Sequence, residues 1–410
     1  MLRQPTAPRR ALLFATISLA AQLALPAGPA ADAGSGRVEP IVAAQLHALA
    51  GATWAEVDAE LGRLRRSGFN TIFFRVFQNE GDRYHGPAAG AAAGGELGVY
   101  FETDWAPVVA DMLPALAGLC RRHGLRLFAW MTTRRMDWLD SRDGWRDRRY
   151  NPASDRTEEL GHFDLLNDEF AEYMLGLYAD LASQPIDGVL LQDDFVIKTF
   201  EGFTPAGLAG YRELHGAEPR PRDLFQQVYR EDDGRLHIGR LGSEHERWCR
   251  YKSDRLLALG SRIIAACRGA DVDIVIALNV YYDTVLDPQW GLAWLGQDLE
   301  GLGGSDFDLV CLMSYHRQIA AELGIDVTEA IALNADLVAR MYGLFGERLL
   351  VKLQAADWRT GELVGGEELE RAARAVESSV RHWAVAPGES TVGLLIGNLL
   401  RERAGAGGPR

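Results

Sequence analysis

Short apolar runs alternate with amphipathic stretches along most of this chain, and their spacing predicts an α/β fold. Eight such runs stand at Val38–Ala44, Thr71–Phe77, Arg126–Met131, Gly188–Gln192, Asp273–Asn279, Asp308–Met313, Leu349–Gln354 and Val392–Ile396. Each has the length of a buried strand. Between them lie stretches with apolar residues at helical spacing, such as Trp54–Ser67 and Val108–His123. In the first, Trp54, Val57, Leu61 and Leu64 share one face. Strand alternating with helix argues for a parallel sheet, and eight units argue for closure into a single-domain (β/α)8 TIM-like barrel. An open doubly wound sheet is the competing arrangement, but no glycine-rich turn follows the first run to make a nucleotide site. Long loops follow the second and fourth runs. Residues 78–104 hold the Gly/Ala-rich stretch Gly86–Gly98, expected as a flexible loop over the barrel mouth. Residues 214–247 are expected to add a helical excursion.

The first 33 residues follow a different pattern. Arg3, Arg9 and Arg10 precede an apolar stretch from Ala11 to Leu25, followed by small residues and Ala31-Asp32-Ala33 as a cleavage site. That order predicts a secretory signal peptide over residues 1–33. Its apolar stretch is short for a membrane span, which needs about 20 residues. The barrel domain is then expected over residues 37–400 and a disordered tail over 401–410. The expected location is periplasmic or secreted, with no stable membrane insertion after cleavage.

Composition narrows the class. With 47% hydrophobic and 24% charged residues, the 410-residue chain describes a soluble globular protein. Its formal charge is −14, and removing three arginines and one aspartate with the leader (net +2) leaves −16. Such acidity argues against nucleic acid and favours neutral or cationic ligands. Cys120, Cys249, Cys267 and Cys311 show neither metal-ligand spacing nor a CxxC motif. Buried free thiols are expected, with one disulfide as the alternative. None of the nine histidines pairs at metal-ligand spacing, and neither a G-x-S-x-G elbow nor a P-loop occurs. No metal and no cofactor are expected.

Candidate chemistry gathers at the ends of the runs. The fourth ends abruptly at two adjacent carboxylates, Asp193 and Asp194. A buried strand ending in acids is the layout of a barrel active site, whose catalytic groups sit at the carboxyl ends of the strands. Helix capping or loop solvation by the pair is the plainer alternative. Other strand ends supply Trp130 (with Trp138 beyond it), Asn279, Tyr281 and Tyr282, then Ser314, Tyr315 and His316. Gln354, Asp357, Trp358 and Asn398 complete the set. Carboxylates among aromatic rings and amides suit a sugar site: rings cover the apolar faces of pyranoses, amides bind hydroxyls, and two carboxyls handle proton transfer. Each aromatic residue alone is more often core than platform; their shared location at strand ends is the signal.

These residues carry a family resemblance. Tyr100-Phe101-Glu102-Thr103-Asp104, Leu127-Phe128-Ala129-Trp130-Met131 and Asp187 through Asp194 come first. Trp248 with Lys252, Ala277 through Tyr281, Met313-Ser314-Tyr315 and Val351 through Trp358 follow in order. Over residues 37 to 400 the chain resembles the C-terminal glycoside hydrolase domain of the poly-β-1,6-N-acetyl-D-glucosamine N-deacetylase/hydrolase (PgaB-type) family. The resemblance implies a barrel that cleaves partially de-N-acetylated β-1,6-glucosamine polymer, a cationic polysaccharide suited to an acidic protein. The family's deacetylase domain is absent, so deacetylation is not expected. Gln192 stands where the family has a His before the paired aspartates, and Thr199 where an Asp is expected. His316-Arg317-Gln318 falls where a Glu is expected. Asp193, Asp194 and Asp357 remain as candidate catalytic carboxylates, with Glu201 behind them. Trp130, Asn279, Tyr281, Tyr315, His316, Gln354 and Trp358 are candidate substrate contacts. The residues leave two other readings open: a catalytically silent barrel that binds exported polysaccharide, and a hydrolase of an unrelated glycan.

Overall fold

The computed structural model describes residues 39–139, 144–230, 236–377 and 380–388. Eight parallel strands close into a barrel: β1 (Val42–Leu46), β2 (Thr71–Arg75), β3 (Arg126–Met131), β4 (Gly188–Leu191), β5 (Val275–Tyr281), β6 (Leu309–Ser314), β7 (Leu349–Gln354) and β8 (His382–Ala386). Each pairs with its sequence neighbours, and β1 closes the ring on β8 through Val42↔Trp383 and Ala44↔Val385. Six of the eight expected runs coincide with strands to within a few residues. The first begins later than the sequence implied. The eighth is corrected: His382–Ala386 occupies that position, and Val392–Ile396 and Asn398 lie outside the described residues.

Helices cover the ring. Among them are α1 (Trp54–Arg66), α2 (Leu113–Arg122), α3 (Asp168–Ala182), α4 (His245–Ala270), α5 (Val327–Phe345) and α6 (Gly366–Glu377). Helix α1 starts at a capping box, with Thr53 accepting from the Glu56 amide while Glu56 accepts from the Thr53 amide. Helix α2 starts five residues later than the apolar pattern implied. The preceding chain is spent on strand contacts instead: Gly98–Val99 pairs with Phe77–Gln78, and Val108 bridges to Val99. The Gly/Ala-rich stretch, expected as a flexible loop, holds a 3-10 run at Gly86–Ala93 and is tied at its start, where the Gly86 amide donates to Leu49 O.

The connection after β3 carries an antiparallel hairpin, Arg146–Asn151 with Arg156–Phe163, that the sequence did not announce. The one after β4 holds the helix Pro205–His215; residues 214–247, expected to add a helical excursion, instead hold the short helix Pro221–Leu224 and a second hairpin, Phe225–Arg230 with Leu236–Leu241. All four cysteines are free and buried. No helix among the described residues is long and apolar enough to cross a membrane.

The pleat sets the interior. Alternate residues point to opposite sides of a strand, so Ala43, Phe73, Phe128, Leu190, Ala277, Leu309, Leu350 and Ala384 fill the lower barrel, one from each strand. Their neighbours one position along, such as Val189 and Leu191, pack outward against the helices. Two residues further up the same inward rows the chain turns polar and aromatic: Gln45, Arg75, Trp130, Asn279 and Lys352. The barrel is therefore plugged with hydrocarbon below and floored with hydrogen-bonding groups above.

Gly188 shows how tightly the lower layer is filled. A Cβ there would lie 2.1 Å from a Phe128 ring carbon and 2.7 Å from the Val275 carbonyl oxygen. Neither neighbour can retreat in a closed ring, and overpacking of this kind costs about 1–3 kcal/mol. Gly188→Ala is expected to lower unfolding stability by at least about 2 kcal/mol in urea titration. An unchanged midpoint would show that the layer has slack.

Candidate active site

The polar ends of the inward rows open into a cavity of about 290 Å³ at the carboxyl ends of the strands. Gln45, Asn279 and Lys352 contribute to its floor. Trp130, Tyr281, Tyr315, Trp358 and His47 contribute to its walls, and Asp193 joins them from the turn after β4. Among the described residues that line it, Asp193 is the only carboxylate.

The turn after β4 divides the two adjacent aspartates. Asp194 reaches back to the loop after β3 and is saturated there. Its carboxylate accepts from Thr132 Oγ1 (2.7 Å), Thr133 Oγ1 (2.8 Å), and the amides of Thr133 (2.9 Å), Arg134 (3.0 Å) and Arg135 (3.2 Å). It anchors a loop and does not line the cavity. Asp193 has a different environment. Burial pushes its pKa above the ordinary carboxylate value, and the Asp194 charge adds to the rise; the Lys352 ammonium opposes it. The Tyr281 hydroxyl lies 3.1 Å from the Asp193 carbonyl and 3.4 Å from its carboxylate.

Lys352 is buried and donates to Asn279 Oδ1 at 3.0 Å, while the Asn279 amide donates to Leu191 O at 3.0 Å. Burial lowers the Lys352 pKa to about 8, with Cys311 and Asp193 acting in the other direction. The floor is thus a chain of hydrogen bonds from β7 through β5 to β4. The aromatic wall is continuous as well. His47 meets Trp130 edge-on at 5.0 Å, and Tyr315 meets Trp358 edge-on at 5.4 Å. Trp358 remains 42% exposed, the degree of access a stacking surface for ligand requires.

Of the residues singled out from sequence, Asp193, Trp130, Asn279, Tyr281, Tyr315 and Trp358 meet in this cavity. Five others are spent elsewhere. Asp194 holds its loop. Asp357 is clamped by Arg359, accepting from the amide at 2.9 Å and from Nη2 at 3.1 Å, and this contact holds its pKa below the ordinary value. Gln354 accepts from the Arg317 and Gln318 amides and donates to Ala356 O. His316 is fully buried, with Nε2 2.8 Å from Glu368 Oε1. Each of these sits at a strand end, as expected, but its polar atoms are consumed by the next element.

Glu201 belongs to a buried ion-pair cluster beside the site. Arg134 Nη1 donates to Glu201 at 2.8 Å and Nη2 to Asp147, while His162 Nε2 lies 3.6 Å from Asp147 and 3.7 Å from Glu201. The ligand atoms of Asp147, His162 and Glu201 are close enough to surround a metal ion. The Arg134 guanidinium already supplies the positive charge between the two carboxylates.

Sequence reading missed Gln45, His47, Gln318, Lys352 and Glu322. The first two and Lys352 follow from strand parity: Gln45 and Lys352 stand two residues above the apolar interior positions Ala43 and Leu350, and His47 two above Gln45. Glu322 sits behind the wall, accepting from the Tyr282 hydroxyl at 2.6 Å and from Gln318 Nε2 at 3.0 Å, and both partners line the cavity. It stands one helical turn beyond the segment where the family resemblance expects a glutamate. A larger, more open depression of about 630 Å³ lies by the hairpin after β3. Its charges are paired internally, Arg222 with Asp155 and Arg220 with Asp223, and it carries no barrel strand-end group.

The Arg134 cluster makes a measurable prediction. Burial alone would raise the Glu201 pKa, but Arg134 and then His162 lower it from 4.5 to about 2. A depressed carboxylate contributes stability that is complete above its unfolded pKa and lost as pH falls through the folded one. Wild type should therefore lose stability between pH 4.5 and 2. Glu201→Gln should lose it with a slope smaller by about one proton, or roughly 1.4 kcal/mol per pH unit. Identical slopes in urea titrations across that range would mean the pair is not formed.

Solved structures similar to this chain include three sugar-processing enzymes or domains. The PgaB (BpsB) glycoside hydrolase domain from Bordetella bronchiseptica matches with a TM-score of 0.68 at 22% identity, covering 89% of this chain and 98% of that one. The β-amylase catalytic domain from Paenibacillus polymyxa matches at 0.58 with 12% identity, covering 90% and 99%. The cold-adapted β-galactosidase from Rahnella sp. R3 matches at 0.55 with 14% identity, covering 92% of this chain and 58% of its own. At these identities the likeness carries the fold, a barrel shared with the expected family. No curated protein matches the chain. A sequence model described as hypothetical glycosyl hydrolase family 13 matches residues 52–384, nearly the whole described barrel, and the chain belongs to that family.

Proposed function

We propose that this protein is an exported glycoside hydrolase acting on a β-linked amino-sugar polysaccharide. The substrate class is β-1,6-linked, partially de-N-acetylated poly-N-acetylglucosamine or a close relative. The observation that carries the reading is Asp193: a carboxyl with a raised pKa, set among Trp130, Trp358, Tyr281 and Tyr315 at the mouth of the barrel. A carboxyl whose surroundings raise its pKa is the kind of group that protonation of a glycosidic oxygen calls for. The proton leaves Asp193 as the glycosidic bond breaks, and the Lys352 ammonium across the floor offsets the carboxylate that remains. Tyr281 holds the residue in place. Asp194 acts one step removed, by fixing the loop against which the turn is built.

The choice of glycan rests on the sequence resemblance, on the likeness to the PgaB (BpsB) glycoside hydrolase domain of Bordetella bronchiseptica, and on charge. A net charge of −14 draws a cationic polymer from solution. The basic, apolar, small-residue order of residues 1–33 supports export to the periplasm or beyond. A second reading, a barrel that binds the polymer without cutting it, is favoured by one observation: among the described residues a single carboxylate lines the cavity.

Asp193→Asn should lower reducing-end release from the deacetylated polymer by at least about 100-fold, within the range that general acids contribute, with the circular dichroism spectrum unchanged. Asp357→Asn should stay within about tenfold of wild type, because its carboxylate is spent on Arg359. Binding without cleavage by wild type would favour the silent barrel. Undiminished cleavage by Asp193→Asn would place the acid elsewhere.

A further inference from the structure

We infer that His47 is the second catalytic group of this cavity, the base that takes a proton from the attacking water while Asp193 protonates the leaving oxygen. The inference rests on the hydrolase reading above and asks what complements Asp193 where no second carboxylate lines the cavity among the described residues. His47 follows β1, in the inward row that runs Ala43, Gln45, His47. Asp193 follows β4. On an eight-strand ring these positions are three strands apart, and both groups line the same cavity at the mouth. An acid and a base on opposite sides of a sugar ring, with room for water between, is the arrangement of a single-displacement glycosidase.

The surroundings of His47 fit the role. Its ring is held by Trp130 at 5.0 Å and Trp358 at 6.3 Å, both aromatic contacts that leave the nitrogens unspent. Neither ring nitrogen hydrogen-bonds to protein among the described residues, whereas His316, His85 and His382 are each committed to a partner. The charged groups around it are Lys352 from β7 and Arg75 from β2, with Asp193 across the cavity. Although the residue is open to the cavity, enclosure by the walls lowers its pKa, and Lys352 and Arg75 lower it further, to about 4. That is the basicity of the carboxylates that serve as bases in other glycosidases. The lowered pKa favours the neutral imidazole, the form able to accept a proton.

The step balances without any further reactant. Water oxygen bonds to the anomeric carbon as one water proton passes to the imidazole. The bond to the leaving oxygen breaks, and its electron pair takes the Asp193 proton. The product hemiacetal forms with inverted configuration.

The test uses full-length mature protein and partially de-N-acetylated poly-β-1,6-N-acetylglucosamine. His47→Ala and the closer-shaped His47→Gln should each lower kcat about 100-fold or more with KM within about threefold. Sodium azide, a nucleophile that needs no base, should restore at least about tenfold of the loss in His47→Ala as glycosyl azide, and should not rescue Asp193→Asn. Proton NMR of the first turnovers should show the inverted anomer. In Lys352→Met, loss of the cation should raise the His47 pKa, moving the acidic limb of the kcat/KM profile to higher pH. Retained configuration, or His47 variants that raise KM while leaving kcat near wild type, would overturn the proposal and leave the hydrolase reading standing. A wild type that releases no reducing ends overturns both, and cleavage lost in Asp193→Asn alone overturns only this one.

Discussion

The pleat of a closed parallel barrel is the constraint on which everything else here depends. Once eight strands hydrogen-bond into a ring, every second side chain has no choice but to enter it. The lower interior accepts this with Phe73, Phe128, Leu190 and Leu350, and the tightest point is a glycine, Gly188. The upper interior meets the same demand with groups that need hydrogen bonds, and it satisfies them with one another: Lys352 on Asn279, Asn279 on Leu191 O. A buried ammonium is tolerated because Asn279, two strands round the ring, is fixed in register to accept from it. The cavity is thus a property of the strands, and its rim loops add to a floor that exists without them.

Adjacent residues can have unrelated work when a strand ends between two elements. Asp193 and Asp194 share a turn, yet one faces aromatic rings and the other is enclosed by hydroxyls and amides of residues 132–135. The first has its pKa raised by burial beside the second, and the second has its oxygens taken up by five donated hydrogen bonds from four residues. The same contrast separates His47 from His316. Both are strand-end histidines, but Glu368 reaches one and only aromatic rings reach the other.

Much of the fold was legible in the sequence because strand length and helix spacing are local properties. Runs such as Arg126–Met131 and Leu349–Gln354 are strands to the residue. The ends of the ring were less legible. The β8 segment His-Trp-Ala-Val-Ala opens on a histidine and a tryptophan, and it reads as a strand only when His382 Nδ1 is seen accepting from the Ile41 amide. The hairpin after β3 was invisible for a related reason: Arg146 through Asn151 is mostly charged, and its stability comes from pairing and from the Arg134 cluster behind it. Within the site, strand-end position found Asp193, Trp130, Asn279, Tyr281, Tyr315 and Trp358. It also gathered Asp357, Gln354 and His316, whose polar atoms are consumed by residues far along the chain. Parity would have added Gln45, His47 and Lys352.

The guanidinium of Arg134 has a consequence for how the mouth can move. It joins the loop after β3, the hairpin that carries Asp147 and the loop after β4 that carries Glu201, while Lys252 Nζ binds the Lys198 carbonyl of that last loop at 2.7 Å. Breaking any of these contacts leaves a buried charge uncompensated, so the three segments open together or not at all. The wall bearing Asp193 is in effect a fixed jaw. The opposite side differs: there Trp358 stands 42% exposed, and among the described residues the His47 ring is held by aromatic contacts alone. Whatever enters the cavity therefore meets a wall pinned by buried charge on one side and exposed rings on the other.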